Sequence, residues 1–391
     1  MKRNRFLCFV LCLCVLMLFA ACTQDGAVQQ QTAATQSTEG ETANEASSDE
    51  HDAETETEPV DEEKAQARAN ALPERYDDRM EIWEHPAGYR TDRKADELNI
   101  SERDWLEVTA NTTDTMIGED FHDITEIQDS FYNGYILGNG LEKETFEDIP
   151  YVIPYLVKDA FGAVIVIPGG GFYYKTMNGH TFEAGDVARS LNSAGYSAFV
   201  LNYRSNPYEY PIPQLDVQRA VRYVRSIADE YSFPADNIGL IGFSAGAFQA
   251  AYFLNVLMGN DCFPDDYTKD SLDAVDDTVQ HVAFIYPMFD FRHNVSMLCN
   301  LFDRDTLLVE ENREAILDET DMTMHFTSKN TPQFLAYGAT DRIAGTETSL
   351  RYLRAARSSG GTIAELYVMD KGHLFEQEDY MDAYLGWLRT R

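Results

Sequence analysis

The stretch Asn237-Ile238-Gly239-Leu240-Ile241-Gly242-Phe243-Ser244-Ala245-Gly246 constrains the fold of this chain more than any other. An apolar run of Ile238, Leu240 and Ile241 meets Gly-Phe-Ser-Ala-Gly, and an Ala-rich helical pattern follows from Ala245 to Leu257. The order is strand, sharp turn, helix, with a serine on the turn. A turn of that kind has a strained backbone and needs small residues on both sides of the serine. It lifts Oγ clear of the sheet and aims the helix N-terminus at whatever Ser244 attacks. Gly-x-Ser-x-Gly alone matches many ordinary turns, but here both flanks are present. Ser244 is therefore the candidate nucleophile.

The pattern around it is regular from Tyr151 onward. Tyr151 to Val157 alternates like a strand, and Ala163 to Ile167 is a continuous β-branched run of the kind buried on both faces. Helical periodicity over Phe182 to Leu191, a strand at Ser197 to Leu201 and a long helix from about Gln214 to Tyr231 come next. Strands at Ile238–Ile241, Val282–Tyr286, Phe334–Tyr337 and Ile363–Met369 are followed or separated by helices, including Ser349–Arg357 and Tyr380–Leu388. This alternation predicts an α/β fold, a mostly parallel central sheet with helices on both faces. Two insertions, Gly259–Gln280 and Phe291–Lys329, are expected after strand C-terminal ends, where such sheets place substrate contacts. The six aspartates between Asp265 and Asp277 lack the spacing and glycine of a calcium-binding loop, which favours a solvated acidic loop.

A nucleophilic serine needs a base, an acid to orient that base, and donors for the developing oxyanion. Pro168-Gly169-Gly170-Gly171-Phe172 leaves the buried strand directly, and its glycines leave backbone N–H groups uncovered. Gly170, Gly171 and the N–H of Ala245 are the candidate oxyanion donors. Of eight histidines, His373 stands on a loop just beyond a strand end, after a glycine that lets the loop turn back. Asp341 follows the strand Phe334–Tyr337 in the same way, giving the order Ser244, Asp341, His373. Asp290, after the strand ending at Tyr286, is the rival acid.

The first seventy residues have another character. Met1 to Arg5 is basic, Phe6 to Ala21 is apolar, and Ala20-Ala21-Cys22 closes the run with small residues. Residues 1–21 read as a signal peptide, and Ala-Ala-Cys resembles a bacterial lipobox, with Cys22 as the lipid attachment site. An uncleaved anchor is the alternative, although the run is short for a membrane span. Thr23 to Glu63 holds thirteen Asp or Glu and no Lys or Arg, so residues 22–72 are expected to be a disordered acidic linker. Removing Lys2, Arg3 and Arg5 takes the formal charge from −35 to about −38. That charge argues against nucleic acid and anionic lipid as partners, leaving the membrane approached only through the lipid anchor. Residues 73–148 carry no motif and read as a lead-in or a small cap; 149–391 form the main domain. Beyond the leader and Cys22 only Cys262 and Cys299 remain, open to one bridge or two free thiols, and no spacing of a metal site is present.

With these motifs assembled, the chain resembles the α/β-hydrolase fold, esterase/lipase branch, close to bacterial acetylesterase and acetyl-xylan-esterase-like proteins. The resemblance covers about residues 148–391. It rests on Pro168–Phe172, Glu183-Ala184-Gly185-Asp186-Val187-Ala188, Gly195-Tyr196 to Tyr203-Arg204, Gly242–Gly246, Gly338–Asp341 and Gly372-His373. Pro168 stands where the hormone-sensitive-lipase relatives carry His, and Ala247 where a further glycine is common. The resemblance implies a serine hydrolase without cofactor or metal. It would act on short acyl esters of a small molecule or carbohydrate, and the leader and Cys22 read above would place it tethered outside a bacterial cell membrane or secreted. Phe172, Tyr173 and Tyr174 could then stack on sugar rings or simply pack. A prolyl-oligopeptidase-like peptidase shares the triad order but needs a large N-terminal propeller. A binding protein on a disused hydrolase fold would have no reason to keep all three residues. No feature of the sequence fixes an oligomeric state.

Overall fold

A computed structural model describes residues 79–88, 149–172, 183–205, 208–302, 306–307, 309–328 and 330–391. The expected leader with Cys22, the acidic linker, most of residues 73–148, Tyr173, Tyr174 and His180 lie outside them.

Eight strands form one sheet: β1 (Met80–Glu81), β2 (Tyr151–Tyr155), β3 (Ala163–Ile167), β4 (Ser197–Asn202), β5 (Ile238–Phe243), β6 (His281–Ile285), β7 (Gln333–Gly338) and β8 (Ile363–Val368). Their spatial order is β1-β2-β4-β3-β5-β6-β7-β8, antiparallel from β1 to β4 and parallel from β4 to β8. The helices are α1 (Gly185–Ser193), α2 (Ile212–Ser226), α3 (Ala245–Tyr252), α4 (Glu310–Glu319), α5 (Thr346–Ser358) and α6 (Met381–Leu388). Because side chains alternate along a strand, β3, β5 and β6 feed two separate cores. Ile165, Ile167, Leu240, Val282 and Phe284 meet Leu215, Val221, Phe248 and Tyr352 of α2, α3 and α5. Val164, Val166, Ile241, Ala283 and Ile285 meet Val187, Leu191, Tyr384 and Leu388 of α1 and α6. The continuous apolar runs are what burial on both faces demands. This is the α/β-hydrolase arrangement.

Residues 79–88 belong to this sheet. β1 pairs with β2, and the indole N–H of Trp83 donates to Asp216 at 2.9 Å. Arg204 donates to the Ala87 carbonyl at 2.7 Å while forming a fully buried ion pair with Asp216. Arg219 donates to the Ile82 carbonyl at 2.6 Å.

Gly259–Gln280 is placed differently from the expectation. The Gln280 N–H donates to the Ile238 carbonyl at 2.9 Å, so the segment arrives at the amino-terminal edge of β5, away from Ser244. The reason is length. α3 and the π-helical turn Phe253–Leu257 that continues it carry the chain about 20 Å, the span of a six-residue strand, back down the sheet. The segment is also not uniformly solvated. Asp270 and Asp273 bind Arg219, Asp277 accepts from Gln218 at 2.7 Å, and Asp273 and Asp277 are buried; only Asp265, Asp266 and Asp276 match the solvated reading. Cys262 on this segment is an exposed free thiol.

His281, the first residue of β6, is fully buried over Gly239, where a Cβ would stand 1.8 Å from the ring. Neither ring nitrogen has a partner among the described residues. Burial, and then the charge of Arg391, push its pKa down to about 4 from 6.5. As the pH falls the unfolded chain takes the proton first. This contribution is therefore complete above pH 6.5 and is lost between 6.5 and 4, on the order of 3 kcal/mol. Replacing His281 by Phe should flatten the fall in unfolding free energy from pH 7 to 4 by about that amount. Urea unfolding at several pH values measures it, and parallel pH curves for parent and variant would refute the assignment.

Candidate active site

Ser244 directly follows β5 and adopts φ 49°, ψ −114°, a conformation that L-residues avoid. Its N–H donates to the Ile285 carbonyl at 3.0 Å, and its carbonyl accepts from Ala247 and Phe248 at 3.1 and 3.2 Å. The strained residue is thus held by β6 on one side and opens α3 on the other. The two flanking glycines are required by space. A Cβ on Gly242 would stand 2.6 Å from the Gly246 carbonyl oxygen, and one on Gly246 would stand 2.1 Å from that of Ile167.

His373 reaches Ser244 from the loop after β8. Its Nε2 lies 2.7 Å from Ser244 Oγ, and its Nδ1 lies 2.8 Å from Asp341 Oδ2. Asp341 Oδ1 accepts the N–H groups of Ile343 and Ala344, both at 2.9 Å. Burial pushes the Asp341 pKa up, but the charge and hydrogen bond of His373 and these two N–H groups outweigh it and leave the group below its usual value. An ionised Asp341 only accepts, so Nδ1 carries the ring proton and Nε2 is free to take one from Ser244. The acid and base loops are laced together. The N–H and hydroxyl of Thr340 both donate to the Lys371 carbonyl, at 2.9 and 3.0 Å. A Cβ on Gly338 would stand 2.1 Å from the Gly372 oxygen.

Asp290 is engaged elsewhere. Its carboxylate accepts from Arg351 and from the Arg292 N–H, both at 2.9 Å, and burial pushes its pKa up. His293 and His325 contact the Arg342 and Asp318 carbonyls. Of the two acids read from the sequence, the structure brings Asp341 to His373.

Gly170, Gly171 and Phe172 all have positive φ, at 124°, 62° and 69°. The loop is gripped at three points. Tyr203 donates its hydroxyl to the Pro168 carbonyl at 2.9 Å, the Gly169 N–H donates to Glu183 at 2.9 Å, and Asn300 donates to the Gly171 carbonyl at 2.6 Å. The N–H groups of Gly170, Gly171 and Ala245 have no partner among the described residues. Phe172 is buried edge-on against Phe248 and tilted against Phe291, so it packs and does not offer a face to a sugar ring. Asn300, like Phe291, lies in the second insertion, which therefore does abut the site. Asn300 had no motif role in the sequence, and Tyr203 lay in a stretch that carried the resemblance without any local sign of its contact to Pro168, because each reaches a residue far away in the chain. No group of three or more His, Cys, Asp or Glu among the described residues is placed to hold a metal ion.

Residues 151–355, more than half of the chain, match the family described as BD-FAE. The chain belongs to the BD-FAE family. It is 36% identical over 84 residues to an acetylxylan esterase of Xylanibacter ruminicola, which covers 22% of this chain and 17% of that protein. It is 25% identical over 219 residues to the esterase LipQ of Mycobacterium tuberculosis, covering 54% of this chain and 50% of that one. The chain thus spans half or less of the length of these curated relatives. Among solved structures it is similar to an acetyl ester-xyloside bifunctional hydrolase from Caldicellulosiruptor lactoaceticus, with 26% identity, a TM-score of 0.52, and coverage of 62% of this chain and 88% of that one. A carbohydrate esterase from gut microbiota, at 20% identity and a TM-score of 0.50 over 62% of this chain and 91% of that one, shares the fold.

Asp341→Asn should slow phosphonylation of Ser244 by a fluorophosphonate by about 10³- to 10⁴-fold, because the asparagine favours the wrong imidazole tautomer. Asp290→Asn should stay within about threefold once folded, since Asp290 does not touch His373. Labelling rates in the opposite order would return the acid role to Asp290.

Proposed function

We propose that this protein is a serine carboxylesterase that removes short acyl groups, acetyl in particular, from carbohydrate or small-molecule esters. The observation that carries the reading is the Ser244–His373–Asp341 line, at 2.7 and 2.8 Å, beside the uncommitted N–H groups of Gly170, Gly171 and Ala245. In this reading Ser244 Oγ attacks the ester carbonyl as its proton passes to His373 Nε2. The glycine and Ala245 N–H groups stabilise the oxyanion, and Asp341 stabilises the imidazolium. His373 then gives the proton to the departing alcohol, leaving an acyl-Ser244. Water, deprotonated by His373, releases the acid and restores the serine.

The acetyl preference is supported by the acetylxylan esterase relative and by the closed aromatic packing of Phe172, Phe248 and Phe291 beside the oxyanion loop. A lipase channel would gain about 0.8 kcal/mol for each further buried methylene, so its activity would climb with chain length. Here kcat/KM for 4-nitrophenyl esters should be highest at two or three carbons and fall beyond four. Ser244→Ala should remove activity by roughly four to six orders of magnitude. A maximum at eight carbons or more, or turnover of aminoacyl anilides above acetate esters, would overturn the substrate assignment.

We also propose that Cys22 is lipidated and that the acidic segment after it acts as a tether at the outer face of a bacterial membrane; the lipobox-like Ala20-Ala21-Cys22 supports this. Metabolic labelling with a fatty acid should mark the parent and not Cys22→Ala, and equal labelling of both would exclude the anchor.

A further inference from the structure

Glu183 stands just ahead of α1 and is 1% exposed. Its Oε2 accepts the N–H of Gly169 at 2.9 Å, and its Oε1 accepts the hydroxyl of Tyr286 at 2.7 Å. Tyr286 is fully buried, and its ring lies against His373 with centroids 5.3 Å apart. A Cβ built on Gly169 would stand 3.0 Å from Glu183 Oε2 and 3.1 Å from Ser244 Cβ, so carboxylate and nucleophile are separated by the space of one methyl group. One buried acid therefore touches both halves of the site: the loop with the free donors and the aromatic wall under the imidazole.

We infer that Glu183 is a positioning residue for the ester hydrolysis proposed above, holding the oxyanion loop through Gly169 and the His373 ring through Tyr286. The inference rests on that reading of the site. Burying a carboxylate is unfavourable unless every lone pair is used well, and well-packed apolar residues often replace such groups without loss of stability. An acid in this place is thus better explained by what it orients than by stability.

The first arm fixes a peptide plane. The Pro168–Gly169 peptide has its carbonyl held by Tyr203 and its N–H held by Glu183, so it cannot rotate. Gly170 and Gly171 follow at once, and glycine has no Cβ to restrict it. The aim of their N–H groups is inherited from the clamped peptide. The second arm fixes a ring. Burial, followed by the charge of Glu183, pushes the Tyr286 pKa well up, so its hydroxyl remains a donor to the acid. Phe375 stands edge-on to the same ring at 4.9 Å. Tyr286 is left one orientation against His373.

The test compares Glu183→Gln, Glu183→Ala and Tyr286→Phe with the parent, all as the full chain. Five quantities are read: kcat and KM for 4-nitrophenyl acetate, the rate of Ser244 labelling by a fluorophosphonate, affinity for a trifluoromethyl ketone, and thermal unfolding. Glu183→Ala should lower kcat about 10- to 100-fold, less than the loss of a whole oxyanion donor, with KM within about threefold. Ketone affinity should fall by the same factor as kcat/KM, because the tetrahedral adduct needs the same donors. Glu183→Gln should be milder, since its amide oxygen still accepts from Gly169 and its NH₂ can donate to the Tyr286 oxygen. Tyr286→Phe cuts one arm and should lie between parent and Glu183→Ala. Folded variants with parental kcat and ketone affinity, or a raised KM with unchanged kcat, would overturn the inference. If Glu183→Ala does not fold, the other two variants decide. A parent that is labelled at Ser244 but does not turn over acetate esters would refute the substrate proposal, and the labelling rates would still decide the role of Glu183.

Discussion

The site depends first on how closely two pieces of backbone approach. Gly246, in the first turn of α3, lies so near the end of β3 that a single added carbon would stand 2.1 Å from the Ile167 oxygen and 2.5 Å from that of Pro168. That contact sets the nucleophile turn beside the glycine loop. It places the Ala245 N–H and the Gly170 and Gly171 N–H groups in one neighbourhood, although they lie about seventy-five positions apart in the chain. It also explains why Ser244 has positive φ: the chain must leave β5, reverse, and enter a helix that already touches β3. A conformation of that kind costs on the order of 1–3 kcal/mol and persists where the surroundings over-determine it. The surroundings here are the Ile285 carbonyl, two glycines and the start of α3.

Much of this was legible in the sequence because the fold repeats one simple device. Each catalytic candidate stands at or shortly beyond the end of a strand, and strands buried on both faces read as uninterrupted apolar runs. Ser244 after Phe243, Asp341 after Gly338 and His373 after Val368 share that signature, so their order alone suggested a common edge. Asp290 shares the signature too. What separates it from Asp341 is Arg351, sixty-one positions later and on a helix, a partner that no local pattern announces. The acidic insertion misled for a similar reason. Aspartates that look solvated in sequence are in part the counter-charges of Arg219 and Arg222 on a helix that precedes them by some fifty residues. Charge composition gives the total but not the pairing.

Tyr203, Asn300, Glu183 and Tyr286 were out of reach on the same grounds. Each makes its decisive contacts to one or two groups far away in the chain, and such contacts leave no period in a sequence. Glu183 did lie in a stretch that supported the family resemblance, yet nothing in Glu-Ala-Gly-Asp points to Gly169 or to Tyr286. Motifs show where backbone must be small or extended. They do not show which polar atoms meet.

The glycine loop makes that distinction concrete. Its peptide groups offer carbonyls and N–H groups in equal number, and an oxyanion can use only the N–H groups. The Pro168 carbonyl is taken by Tyr203, the Gly171 carbonyl by Asn300 and the Gly169 N–H by Glu183. Two of these three partners remove acceptors, which would repel a negative oxygen if they faced it. The third removes the donor nearest β3 and turns it toward the interior. The N–H groups of Gly170 and Gly171, residues whose φ values of 124° and 62° favour glycine, have no partner among the described residues. The loop is thus a sorted one. The donors of Gly170 and Gly171 are left open where the backbone is freest to turn, and the buried side chains around the loop decide in which direction that freedom is used.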